Sequence, residues 1–193
     1  MFRISRLSIA LVIATALSVS KIAFAESDAT EYVTKAKQAE SQLDFGGAII
    51  WYEKAAELDD AEAMNQLGWI YFGAYDVRGR HFRDYSKAAI WFQKAANLNY
   101  IPAVTQLGVM HNSDGSFGLP EDHVKAARLF LKAAQAGNAQ AMNNLAVMYA
   151  QGKGVRRDFV QAIYWWKKAV DTDKTGPDGK AAQSWLSMHG DKQ

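Results

Sequence analysis

A nine-residue segment occurs four times in this 193-residue chain, and that self-similarity narrows the possible folds more than any other feature. Ala48-Ile49-Ile50-Trp51-Tyr52-Glu53-Lys54-Ala55-Ala56 returns as Ala88 to Ala96, Ala126 to Ala134 and Ala162 to Val170, at periods of 40, 38 and 36. A second unit, Ala-x-x-x-Leu-Gly, stands at Ala63 to Gly68 and Ala103 to Gly108, and Ala141 to Ala146 keeps all but the Gly. From each leading Ala to the next such Leu the step is constant at 19, as in 48 to 67, 88 to 107 and 126 to 145. The return step shortens from 21 to 19 to 17, so length variation is confined to one kind of turn. Periods of this size are the mark of a stacked array, in which each unit completes its neighbour's core.

Both units read as helices. Ala48, Trp51, Tyr52 and Ala55 fall at i, i+3, i+4 and i+7, one apolar stripe at helical period. Asp44, Asp84, Asp122 and Asp158 each precede a leading Ala by four residues, the place for a side chain that caps free backbone N–H groups. The small residues Ala55, Ala95, Ala133 and Ala169, with Gly68 and Gly108, suit close helix approach. Tyr52, Phe92, Phe130 and Trp166 are expected to fill the space between pairs.

The pattern Ala-x-x-x-Leu-Gly-x-x-Tyr, a turn such as Gln151 to Asp158, then Ala-x-x-Trp-x-x-Lys-Ala-Ala resembles the Sel-one-like repeat, a longer relative of the tetratricopeptide repeat. The likeness covers Ala61 to about Asp171. His111 departs from it where Tyr71 and Tyr149 stand, and Leu129 replaces the Trp. The resemblance implies an all-α fold, a right-handed α-solenoid of antiparallel helix pairs. Residues 26–60 are similar to a plain tetratricopeptide pair, residues 61–100, 101–137 and 138–172 to three Sel-one-like repeats. Residues 173–193 read as a linker and a closing helix from Lys180 to Met188.

The first 25 residues read differently. Arg3 and Arg6 precede Leu7 to Val19, which holds only apolar residues, Ser and Thr, and Ala23-Phe24-Ala25 supplies the small residues of a cleavage site. A signal peptide cleaved after Ala25 is expected, placing the protein in the periplasm or outside the cell. The run is too short and too interrupted by Lys21 for a stable membrane span. Cleavage removes three basic residues and leaves 19 basic against 20 acidic, a balance that points to neither nucleic acid nor an anionic membrane as partner. Cys is absent, which excludes disulfides, Cys-zinc sites and thiol nucleophiles, and suits an oxidising compartment.

Catalytic signals are sparse. His81, His111, His123 and His189 fall in different repeats without metal-ligand spacing, so no metal and no cofactor is expected. One Ser-x-x-Lys occurs, Ser18 to Lys21, inside the segment to be cleaved. Some Cys-rich secreted members of the resembled family have been linked to penicillin binding or β-lactamase activity; neither their cysteines nor a Ser-x-x-Lys in the mature chain is present, and that activity is not carried over. Arg78, Arg80, His81 and Arg83 form a basic turn flanked by Asp76 and Asp84, readable as an anion contact or as a solvated loop.

Solenoids of the resembled class present their first helices along a concave surface. With Leu67, Leu107 and Leu145 as inward positions, the residues at −2, −1 and +2 are expected to face that groove. They are Asn65, Gln66 and Trp69, then Thr105, Gln106 and Val109, then Asn143, Asn144 and Val147. Amides donate and accept, so they can pair with the backbone of an extended peptide, or they can bond neighbouring repeats. The expectation is a non-catalytic exported scaffold that binds an unidentified protein or peptide. Two other readings stand beside it, a cell-wall or β-lactam-acting enzyme or small-ligand binder, and a secreted host-interaction factor.

Overall fold

A computed structural model of the chain describes residues 27–73 and 83–189. The expected signal segment lies outside the described residues, as do Asp76, Arg78, Arg80 and His81. Helices run over 27–41 (α1), Phe45–Ala56 (α2), Ala61–Phe72 (α3), Tyr85–Asn97 (α4), Ile101–Asn112 (α5), His123–Gln135 (α6), Ala139–Gln151 (α7), Phe159–Thr172 (α8) and Pro177–His189 (α9). Among the described residues no strand occurs. None of these helices is long and apolar enough to cross a membrane.

Two compact units divide after Ala63. In the first, α1 and α2 bury Val33, Ala36, Phe45, Ala48 and Tyr52. The Tyr52 hydroxyl donates to Glu40 Oε2 at 3.0 Å. Burial holds the Glu40 carboxyl above its usual range, opposed by the Tyr52 hydrogen bond and by Lys37. Trp51 stacks on Tyr32 with ring centroids 5.8 Å apart, and the Lys54 ammonium sits 4.3 Å from the Trp51 ring.

The second unit begins with the body of α3 and packs each helix on its chain neighbours through to α9. The α4–α5 and α6–α7 turns are three residues long, which makes those neighbours antiparallel. Phe92, Phe130 and Trp166 are wholly buried, as the apolar stripe requires. The four aspartates cap α2, α4, α6 and α8: Asp44, Asp84, Asp122 and Asp158 accept from the backbone N–H of Gly47, Lys87, Lys125 and Gln161 at 2.8–3.0 Å.

The long turn repeats a bond that no side-chain pattern announces. The N–H of Asp84 donates to the Tyr71 carbonyl at 2.7 Å, that of Asp122 to His111 at 2.8 Å, and that of Asp158 to Tyr149 at 2.9 Å. Because the acceptor is a backbone carbonyl, the turn closes equally well where His111 replaces tyrosine. The short turn repeats too. Asp59, Asn99 and Gly137 occupy equivalent sites with φ of 60°, 60° and 88°, the left-handed conformation that Gly, Asn and Asp adopt most readily.

At the C-terminal end, α9 starts at Pro177, three residues before the closing helix expected at Lys180. The fixed φ of proline suits a first helical residue, and the Asp173 carboxylate accepts from Gly176 N at 2.9 Å and Asp178 N at 3.1 Å, supplying the cap. Trp185 of α9 stacks on Trp166 of α8 at 5.4 Å with planes 8° apart.

Candidate protein-interaction face

Helices α3, α5 and α7 are enclosed on two opposite sides. One side carries Leu67, Leu107 and Leu145, buried with Ala63, Ala103 and Ala141. The other holds the −2 row, because a step of two residues turns about 200° around a helix. Asn65, Thr105 and Asn143 are accordingly inside, at 4%, 0% and 9% exposure. Asn143 Nδ2 donates to the Asp178 carbonyl of α9 at 2.6 Å, and Thr105 Oγ1 donates back to the Ile101 carbonyl at 3.2 Å. Asn65 Oδ1 and Asn143 Oδ1 are both buried without a hydrogen-bond partner among the described residues.

Between the two closed sides runs the stripe at −1 and +2. Gln66, Trp69, Val109, Asn144 and Val147 are each half-buried, and Gln106 is nearly closed over at 9%. Five of the nine groove positions thus form an open stripe, while Gln106 is as enclosed as Asn143 and joins the inner positions, where the Thr105 hydroxyl and the Asn143 Nδ2 are spent on the fold. Trp69 is held in place rather than free to swing: its ring lies edge-on to Phe72 at 5.8 Å and to Phe92 at 5.7 Å. Phe72 in turn meets Tyr85 and Phe117 at 5.2 and 5.0 Å, so an aromatic cluster supports this end of the stripe. Phe72 and Phe117 carry no repeat signature, and sequence spacing gave no reason to join them.

No titratable group is gathered on the stripe. His111 is buried at 5% with Nδ1 3.3 Å from the Pro120 carbonyl, and His123 is half-buried against Asn112 Oδ1 at 3.0 Å. Among the described residues no three His, Cys, Asp or Glu side chains are grouped as a metal site. On the second helices, Trp91 is half-buried with the Lys94 ammonium 4.0 Å from its ring, so one aromatic face is already covered. Arg83, the described member of the basic turn, is exposed.

The Sel1 repeat profile matches residues 41–60, 61–100, 101–138 and 139–171. The chain belongs to the Sel1-repeat family. The profile divides the later units at 61–100, 101–138 and 139–171, where spacing divides them at 61–100, 101–137 and 138–172, and it also takes in 41–60, within the pair that resembles a plain tetratricopeptide unit. The fold is the Sel1-repeat helical fold. A Sel1 repeat protein from Oxalobacter formigenes is similar at 25% identity with a TM-score of 0.64, over 74% of this chain and 56% of that one. The c5321 protein, a protective antigen of uropathogenic Escherichia coli strains displaying an SLR fold, is similar at 29% identity and a TM-score of 0.60, over 75% of this chain and 33% of that one. Helicobacter pylori cysteine rich protein B shares the fold at 23% identity and a TM-score of 0.51, over 70% of this chain and 94% of that one. This chain spans less than two thirds of the length of the first two. Comparison with curated proteins finds no match. Sel1-repeat proteins are in general protein-interaction scaffolds.

Proposed function

We propose that this Sel1-repeat protein is an exported, non-catalytic scaffold that holds a protein or peptide along the stripe of Gln66, Trp69, Val109, Asn144 and Val147. Asn65, Thr105 and Asn143 stand behind it as its structural backing. The single observation that carries the reading is this stripe of amide and apolar side chains, left open on helices that are otherwise enclosed. Amides at −1 can pair with either polarity of an extended backbone, and the apolar residues at +2 offer it side-chain contacts. Neither a metal nor a cofactor nor nucleic acid has a part in it. Export rests on the Arg3 to Ala25 pattern.

The test is retention of a partner by the tagged mature chain from envelope extract. The combined variant Gln66→Ala, Val109→Ala, Asn144→Ala and Val147→Ala is expected to lose that partner at an unchanged Tm. Retention of the same partner by this variant contradicts the stripe. A host-facing role is a second reading, favoured by the likeness to the E. coli protective antigen. Its test is fractionation: the protein accumulates in culture medium if that reading holds and stays in the periplasm if it does not.

A further inference from the structure

A cavity of about 480 Å³ lies away from the stripe, between the outer side of α4, the loop after α5 and the start of α6. None of the nine groove positions lines it. Its volume falls in the range of small-molecule sites. Ala89, Ile90, Leu107 and Leu119 give it an apolar floor. Ile90 is 56% exposed there, an apolar side chain held at the mouth of a concave surface.

The polar part of the lining has one sign. Lys94 comes from α4 and Lys125 from the first turn of α6, and no Asp or Glu lines the cavity. Neither ammonium is paired with a carboxylate among the described residues. Lys94 is steadied over the Trp91 ring at 4.0 Å, which fixes its position without neutralising its charge. The 95% buried His111 also lines the cavity. Its Nδ1 lies 3.3 Å from the Pro120 carbonyl, so that ring nitrogen is engaged within the chain. Gln93 and Asn97, one turn apart on α4, also line the cavity, with Gln93 Nε2 donating to Asn97 Oδ1 at 2.9 Å.

We propose that this cavity binds the carboxylate end of an apolar ligand, with Lys94 and Lys125 on the carboxylate and Ile90, Leu107 and Leu119 around the apolar part. An apolar floor and two unpaired cations in one lining select both halves together: an anion without a tail leaves the floor wet, and a tail without an anion leaves the lysines unused. The same chemistry occurs at the C-terminus of a peptide ending in an apolar residue and in a free aliphatic acid.

Calorimetric titration of the chain with acetyl-Ala-Ala-Leu, with its C-terminal amide and with octanoate tests the proposal and separates the two sources. At least one of the two acids is expected to saturate, and the amide to bind roughly tenfold more weakly than its acid. Saturation by the peptide acid alone identifies a chain terminus, and by octanoate alone a free acid. The double variant Lys94→Gln, Lys125→Gln changes only exposed side chains and is expected to weaken the acid roughly tenfold at an unchanged Tm. Ile90→Asp, also at an exposed position, is expected to abolish it. Equal affinity for acid and amide, unchanged binding by either variant, or no saturation by either acid up to about 10 mM overturns the proposal.

Discussion

Gly68 lies so close beneath Phe92 that a β-carbon there would stand 2.5 Å from the ring. Gly108 has the same relationship to Phe130, at 2.6 Å. In each pair the absent side chain of the first helix is the space into which the second helix's ring fits. The third repeat has Ala146 and Trp166 at the corresponding positions, both wholly buried.

Gly68→Ala sets two effects against each other. Alanine favours the helix by about 1 kcal/mol, while forcing a methyl group against a ring that has no room to move costs about 1–3 kcal/mol. Contact at 2.5 Å with a wholly buried ring places the cost high in that range. A net loss of about 1–2 kcal/mol is expected, lowering Tm by about 2–8 °C in a thermal scan followed by circular dichroism. Adding Phe92→Leu to that variant restores part of the loss; a Tm at or above that of the parent for Gly68→Ala alone contradicts the packing.

The caps should behave as separate, nearly equal contributions. Asp84→Ala, Asp122→Ala and Asp158→Ala each remove one acceptor at 2.8–3.0 Å and are expected to cost about 1 kcal/mol apiece. They lie in different repeats, so their effects add. Replacement by Asn, which keeps an acceptor oxygen, is expected to cost much less. Urea unfolding of single and combined variants measures both statements.

Much of this was legible in the residues before any coordinate. The spacing of Ala48, Trp51, Tyr52 and Ala55 and the four aspartates marked the second helices, because helical period and capping are local rules with local signatures. Half of the stripe could not be read the same way. Asn65 and Gln66 are alike in polarity and adjacent in sequence, yet Asn65 faces inward while Gln66 is half-exposed, and only the position of a neighbouring helix decides which. Asn143 reaches the Asp178 carbonyl 35 residues away, a partner no periodicity names. The cavity beside α4 draws Ile90, His111, Leu119 and Lys125 from separate elements, and His111 alone stood out, as a departure from tyrosine.

Asn143 and Asn144 should therefore part company under substitution. Asn143→Ala removes the bond to α9 and is expected to cost about 1–2 kcal/mol, with faster amide exchange in Gly179 to Leu186. Asn144→Ala, on the open stripe, is expected to leave stability within about 0.5 kcal/mol of the parent. Equal loss from both variants in hydrogen exchange contradicts the division into inner row and open stripe.

The Glu40 carboxyl carries a pH signature. Its folded-state pKa lies above the ordinary glutamate range, burial being the main cause, so the protonated form favours folding. Its contribution is complete below the unfolded pKa and is lost as pH rises through the raised folded value. Glu40→Gln is expected to raise Tm at pH 7 and to flatten the fall in stability that accompanies deprotonation of this carboxyl as pH rises. The side chain is half-exposed, so screening keeps the gain near 1–2 °C. A lower Tm for Glu40→Gln at pH 7 contradicts the sign.

The central claim is that a partner lies along Gln66, Val109 and Asn144 rather than against the outer sides of the second helices. A photo-crosslinking residue introduced singly at these positions, and for contrast at the exposed Arg128 and Val160, reads the contact directly in the producing cells. The account predicts adducts of one common mass from Gln66, Val109 and Asn144 and none from Arg128 or Val160. Adducts from the outer pair alone, or none from the stripe at normal expression, contradict it.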